Sequence, residues 1–262
     1  MPDGLRLRVA TYNIHRARGL DGRDRLDRIV DVLGEVDAAV VALQEVFLPQ
    51  AEALVELTGM HGAFGPTRRL PRGLYGNLCL SRLPLASHRR YNLTCGPFEP
   101  RGCLRADVDL HAGHGGGHGA HGFREAGRPA RLHVFNVHLG LRYRERVHQA
   151  RMLARILAEA DLSGPRLVLG DFNEWFHGAA SRLLRAELGP PCGRRRGART
   201  HPSPLPVFPL DRIYLDSQVP HLEVERVGVH RSRLARVASD HLPTYADLRL
   251  PALPDRAHAG RA

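Results

Sequence analysis

Short runs in which apolar and polar residues alternate are separated along this chain by stretches with a helical period. Leu5, Leu7 and Val9 alternate with Arg6, Arg8 and Ala10 and lead into Thr11-Tyr12-Asn13, which predicts a strand ending in polar residues. Leu26, Ile29, Val30 and Leu33 then share one face of a predicted helix over Arg25 to Glu35, with Asp24 placed to cap it. Ala38 to Leu43 reads as a second strand and stops at Gln44-Glu45. Gln50 to Thr58 predicts a short helix closed by Gly59, followed by a loop rich in Gly, Pro and Arg. Leu74 to Ser81 predicts a strand containing Asn77, which either faces solvent or serves a site. Leu104 to Leu110 alternates and pairs naturally with Leu132 to Leu139, where His138 falls at the end. Arg142 to Asp161 is the longest predicted helix, with Val147, Ala150, Leu153 and Leu157 at helical spacing and a stop at Gly164-Pro165. Leu167 to Leu169 is a short buried strand that breaks at Gly170 into Asp171 and Asn173. Leu210 to Leu215 and a strand-rich tail through Ser239-Asp240-His241 to Tyr245–Leu250 complete the pattern. Strands and helices alternate with no linker, so the expectation is one α/β domain over residues 1–250 and a disordered tail over 251–262.

Composition changes this picture little. The 262 residues can bury a full core, and 43% hydrophobic with 25% charged residues suits a globular chain. A net charge of +11 favours a polyanionic partner, nucleic acid or an acidic membrane surface. No lysine occurs, so all 38 basic residues are arginine, which reads as compositional bias and reduces the charge to a modest vote. Cys79, Cys95, Cys103 and Cys192 lack metal-binding spacing; Cys79 and Cys103 sit in apolar runs, as small buried hydrophobes in a reducing compartment would. No secretory leader and no spanning apolar segment is read, and a cytoplasmic monomer is the expectation. Residues 111–127 hold His111, His114, His118 and His121 among glycines that offer no rigid framework, so a flexible hairpin loop is preferred over a metal site. The loop Gly189 to Pro209 carries Arg194-Arg195-Arg196, which either grips phosphates or is a mobile surface segment.

The candidate chemistry lies at the strand ends: Asn13, Glu45, His138, Asp171, Asn173, Asp211, Asp240 and His241. In an open α/β sheet, ligands sit beyond the carboxyl ends of strands. Carboxylates and an amide can hold a hard divalent cation through oxygen, a carboxylate can orient or deprotonate water, and a histidine beside a carboxylate can stabilise charge developing on phosphate.

The ordered motifs Thr-Tyr-Asn-Ile-His (11 to 15), Leu-Gln-Glu-Val (43 to 46), Tyr-Gly-Asn-Leu-Cys-Leu-Ser-Arg (75 to 82), Asn-Val-His-Leu (136 to 139), Gly-Asp-Phe-Asn (170 to 173), Leu-Asp-Arg-Ile-Tyr (210 to 214) and Ser-Asp-His-Leu-Pro (239 to 243) resemble the endonuclease/exonuclease/phosphatase superfamily. That resemblance implies a four-layer α/β sandwich like that of DNase I, two packed mixed β-sheets flanked by helices. It implies Mg²⁺, with Mn²⁺ as the alternative, held by Glu45 with Asn13 and Asp240. It implies that Asp171 positions or activates the water, Asn173 binds phosphate or water, His138 and His241 contact the scissile phosphate, and Asp211 orients a histidine. Asn77 and Arg105 are carried over as substrate-binding. Abasic-site enzymes resemble the chain less, because a tyrosine usually stands where His138 does, and the longer 5-phosphatase motif is not evident. Tyr75 to Arg82 and Arg101 to Arg105 look most like small bacterial members. The expected activity is metal-assisted hydrolysis of a phosphodiester, first in nucleic acid. A phospholipid head group or small phosphoester is the alternative, favoured by 6% aromatics and no evident aromatic-lined pocket. A non-catalytic binding module fits the full set of acidic and histidine residues least.

Overall fold

The alternating runs from the two ends of the chain meet in one sheet. In the computed structural model, which describes residues 5–110, 131–158, 162, 164–176, 178–192, 198–216 and 223–250, that sheet contains β1 (Leu5–Asn13), β2 (Val40–Phe47), β3 (His61–Leu70), β4 (Gly73–Ser81), β10 (Glu223–Val229) and β11 (Thr244–Leu250). Its order is β10-β11-β1-β2-β4-β3, with β1 and β2 parallel and β11 antiparallel to β1. The second sheet runs in chain order through β5 (Leu85–Asn92), β6 (Gly102–Asp109), β7 (Arg131–His138), β8 (Arg166–Asp171) and β9 (Asp211–Leu215), with β7 and β8 parallel. Among the described residues, five α-helices join them: α1 (Leu26–Val36), α2 (Leu48–Thr58), α3 (Tyr143–Leu157), α4 (Ala179–Leu188) and the single turn α5 (Ala235–Ala238).

The period-2 pattern decides the layers. Leu7, Val9, Val40 and Ala42 point from the first sheet onto Leu104, Ala106, Val134, Leu167 and Leu169 of the second. The opposite face of the first sheet, with Tyr12, Leu43, Val46 and Leu78, is covered by Ile29, Val32 and Leu33 of α1 and Leu54 of α2. Phe135, Val137 and Val168 on the far face of the second sheet meet Leu153 and Leu157 of α3 and Leu184 and Leu188 of α4. Helix, sheet, sheet, helix is the four-layer sandwich expected from the motifs, and each fully buried Leu or Val contributes about 1.5–3 kcal/mol.

The sheets are also joined by polar groups. Asn136 donates from Nδ2 to Leu43 O (2.9 Å) and Leu78 O (3.0 Å) and accepts from Gln44 Nε2 (2.8 Å), all inside the sandwich. Asn77 belongs to this clamp: it is buried and donates to Gly102 O and Asn136 O, so it does not face solvent.

Several local expectations change. Asp24 does not cap α1, which starts at Leu26 with no side-chain cap; its carboxylate instead takes Arg72 Nη1 at 2.8 Å. The Gly/Pro/Arg-rich stretch after Gly59 is strand β3, an edge strand whose pairing to β4 tolerates Pro66 at a register shift. Strand β5 and helix α4 are additions to the predicted elements; β5 is an edge strand with mostly exposed polar positions, so its period carries no burial signal. α3 ends at Leu157. The Gly/His tract, Arg194 to Arg196 and the tail after Pro251 lie outside the described residues.

Candidate active site

Parallel pairing sends β1, β2, β7 and β8 out at one edge of the sandwich, and antiparallel β9 and β11 begin there. Asn13, Glu45, His138, Asp171, Asp211 and the Asp240-His241 turn therefore arrive together. Local chain geometry does the aiming. A register shift between Leu43 and Val46 and a left-handed backbone at Glu45 (φ 61°) turn its carboxylate out of the face that Leu43 and Val46 bury. Such a conformation costs a non-glycine residue about 1–2 kcal/mol, a strain concentrated at functional sites. Gly170 (φ 148°) lies so close to β7 that a Cβ there would sit 1.9 Å from Val137 O, so only glycine lets β8 deliver Asp171 beside His138. Asn173 (φ 47°) closes the turn, its backbone N–H donating to Asp171 Oδ1 at 2.8 Å and its side chain to Leu139 O at 2.9 Å.

Asp171 is the hub. Its Oδ2 accepts from Asn13 Nδ2 at 3.0 Å and lies 3.7 Å from Nε2 of both His138 and His241. Asn13 Nδ2 also reaches Glu45 Oε1 at 3.3 Å, so one amide ties the carboxylate of β2 to that of β8. On the other side His241 Nδ1 is 2.8 Å from Asp211 Oδ2. Ser239 Oγ donates to Asn13 O at 2.8 Å, which pins the Asp240 turn against β1. Asp240 itself is less buried, 3.7 Å from His15 Nδ1 and 3.9 Å from His201 Nε2.

Charge distinguishes the two central histidines. Burial works against a charged His241, but Asp211 and Asp171 outweigh it and push its pKa up to about 10, so it is an imidazolium at neutral pH. Burial, with Arg101, His241 and Arg68 nearby, holds His138 well below 6.5, so it is neutral. Burial raises the Asp171 carboxyl to about 6, with the Asp211 charge adding to the rise and His241 opposing it.

The cleft, about 370 Å³, is also lined by Arg16, Arg68, Tyr75, Glu99, Arg101 and His201, with His15 at its edge, residues to which the sequence pattern assigns no role. Arg101 is buried; its Nη1 is 3.0 and 3.1 Å from the two ring nitrogens of His138, which places the guanidinium against the ring face, and Nη2 takes Glu99 at 3.0 Å. The usable signal was positional: Arg101 immediately precedes β6, which pairs antiparallel with β7, so it must emerge near His138. Arg16 comes from a left-handed turn, residues 15 to 17, held by Gln50 Nε2 on its carbonyl at 2.6 Å. Of the predicted residues, Asn77 and Arg105 are not brought to the cleft. Arg105 is engaged with Asp107 and the Tyr91 hydroxyl on the helix-covered face.

The sequence matches the endonuclease/exonuclease/phosphatase family over residues 10–241. The chain belongs to that family. A relative in Escherichia coli K12, the uncharacterised protein YbhP, is 30% identical, with 95% of this chain and 100% of YbhP covered. The fold is similar to that of a mannosyl-6-phosphatase from Bacteroides thetaiotaomicron VPI-5482 (TM-score 0.71, 20% identity, 92% of this chain and 99% of that one). It is also similar to D. rerio TDP2 solved with a single-strand DNA product (TM-score 0.68, 18% identity, 93% and 99%). Members of the endonuclease/exonuclease/phosphatase family are hydrolases of phosphoester bonds and generally use divalent metals.

The donors present suit a hard divalent cation. Two compact groups of acidic and histidine side chains, His201-Asp240-His241 and Asp171-Asp211-His241, lie close enough to hold an ion. Both include His241, and an imidazolium has no lone pair to give. Glu45, Asn13 and Asp240 offer oxygen donors, the kind a hard divalent cation takes, and Asn13 keeps a lone pair on Oδ1 beyond the one taken by His15 N–H. Among the described residues, Asp211 keeps one buried carboxylate oxygen without a hydrogen-bond partner.

Proposed function

We propose that this protein hydrolyses phosphodiesters with the help of a divalent metal ion. The observation that carries the assignment is the hydrogen-bonded and ionic path Glu45–Asn13–Asp171–His241–Asp211, drawn from five separated strands and turns into one arginine-lined cleft. Glu45, Asn13 and Asp240 would hold the ion, which supplies Lewis-acid polarisation of a phosphoryl oxygen. Asp171 accepts a hydrogen bond from the attacking water and, with its raised proton affinity, takes its proton. His241, kept cationic by Asp211, and Arg101 donate to the phosphoryl oxygens as negative charge grows there. Neutral His138, pressed by Arg101, donates or accepts at the same phosphate without adding a second full charge.

Polyanionic nucleic acid fits the arginines Arg16, Arg68 and Arg101 and the +11 charge, and the likeness in fold to a DNA-bound TDP2 supports it. The exposed apolar side chains Leu141, Trp175 and Phe176 beside the cleft favour a phospholipid instead. The test is turnover of bis-p-nitrophenyl phosphate with Mg²⁺, Mn²⁺ or chelator. Asp171→Ala and His241→Ala should each abolish metal-dependent release while circular dichroism stays unchanged; undiminished turnover in either variant, or indifference to chelator, sinks the assignment.

A further inference from the structure

Ten large hydrophobic side chains are exposed among the described residues, and their distribution is uneven. Leu57 lies in α2 and Val224 in β10; of the other eight, six stand in loops, Tyr143 opens α3 and Val237 lies in the single turn α5, and Leu141 and Trp175 line the cleft itself. Phe176 is 76% exposed, Leu205 75% and Leu141 68%. Contacts link them into one arc. Leu141, Tyr143, Trp175 and Phe176 line an apolar hollow of about 500 Å³ that shares Leu141, Asn173 and Trp175 with the cleft. Trp175 stacks on Phe208, with ring centroids 4.7 Å apart. Phe208 belongs to the same loop as Leu205, and Arg236 Nη1 donates to the neighbouring Pro204 O at 2.7 Å. Val237, next in the chain, accepts Leu20 N–H on its carbonyl at 3.0 Å.

An apolar margin of this kind marks an interaction surface. A run of stacked nucleobases would need a row of free aromatic faces, but five of the eight side chains are Leu or Val, and of the three aromatics the Trp175 ring already has Phe208 against it, leaving Tyr143 and Phe176. Cationic and apolar residues also interleave: exposed Arg142 and Arg144 alternate with Leu141 and Tyr143, and Arg16 stands inside the margin. Apolar side chains with arginines between them match a bilayer surface carrying anionic head groups, where aromatic and aliphatic groups enter and guanidinium groups meet phosphate.

The geometry points to docking of the cleft edge on an anionic lipid bilayer, with the cleft taking the phosphodiester of a phospholipid head group. The docking rests on the apolar arc alone; the choice of substrate rests also on the phosphodiesterase assignment above. Hydrolysis there consumes one water and breaks one P–O ester bond, leaving a phosphomonoester and an alcohol.

The test uses the full chain with phosphatidylcholine vesicles, with and without phosphatidylglycerol, in co-sedimentation, and Phe176→Ser/Leu205→Ser as the variant. Both substituted side chains are largely exposed and outside the cleft, so folding and turnover of soluble bis-p-nitrophenyl phosphate should stay within about twofold. Binding to phosphatidylglycerol vesicles should weaken by about tenfold or more, and release of water-soluble product from them should fall in parallel. Arg144→Gln should reduce the preference for phosphatidylglycerol over phosphatidylcholine. Wild-type protein that does not sediment with vesicles overturns the docking, as does a variant that binds them as tightly. So does a variant that loses oligonucleotide cleavage and keeps vesicle binding. Absent turnover of the soluble ester alongside intact vesicle binding would instead sink the phosphodiesterase assignment and leave the docking standing.

Discussion

Replacing Asp211 by asparagine keeps the shape of the group facing His241 and removes its charge. A pKa rise from 6.5 to about 10 corresponds to ~5 kcal/mol of net attraction for the proton on His241, at about 1.4 kcal/mol per tenfold change. Against the opposing cost of burial, Asp211 at 2.8 Å and Asp171 at 3.7 Å supply most of it, and Asp240 adds the remainder. Apportioned by inverse distance, Asp211 accounts for about three-fifths, or ~3 kcal/mol, close to a hundredfold in proton affinity. His241 in Asp211→Asn should therefore titrate near pH ~8. Because the imidazolium is the donor to phosphate, activity is present below its pKa and lost above it. The wild type should hold its rate from neutrality toward pH ~10, whereas the variant should lose about tenfold between pH ~7 and ~9. Stability follows the same sign: the raised His241 pKa contributes fully below 6.5, and that contribution is lost as pH climbs through about 10. Histidine NMR titration of the metal-free protein reads the shift directly, and the pH–rate profile with bis-p-nitrophenyl phosphate reads its consequence. A His241 titration that stays in place in Asp211→Asn would refute the electrostatic account.

Asp171→Asn should separate stability from activity. With its carboxyl raised from 3.8 to about 6, ionised Asp171 costs the metal-free fold up to ~3 kcal/mol at neutral pH, so the variant should melt some degrees higher while losing turnover; a lower Tm would count against the burial argument. Arg212→Met strands buried Glu174, whose Oε2 is 2.8 Å from Arg212 Nη1; unfolding in urea should show a loss of about 3–5 kcal/mol, and adding Glu174→Gln should recover part of it. Asn136→Leu takes the Nδ2 donor from Leu43 O and Leu78 O in the interior and removes one of the acceptors of Gln44 Nε2. A loss of about 2–4 kcal/mol is expected in the same assay, and a neutral result would show that the inter-sheet clamp carries no stability.

The sequence alone was enough for the long strands and for the idea that their polar ends meet. Period-2 alternation and abrupt stops at Asn13, Glu45, His138 and Asp171 are local signals, because a buried sheet face demands an unbroken apolar row wherever it lies. Edge strands β3 and β5 escaped because an edge with one side in solvent imposes no such row. Tertiary structure alone decided which polar groups serve the cleft. Asn77 looks like a site residue in a strand, yet the second sheet closes over it and, with Asn136, makes it part of a clamp. Arg101, His15 and His201 enter from loops whose paths depend on packing between sheets. The apolar arc likewise exists only in three dimensions: Leu20, Leu141, Phe176 and Leu205 are far apart in the chain, and each alone is an ordinary exposed side chain. Periodicity reports the face a residue occupies, whereas a site needs the distances between faces, and those come from how the two sheets pack.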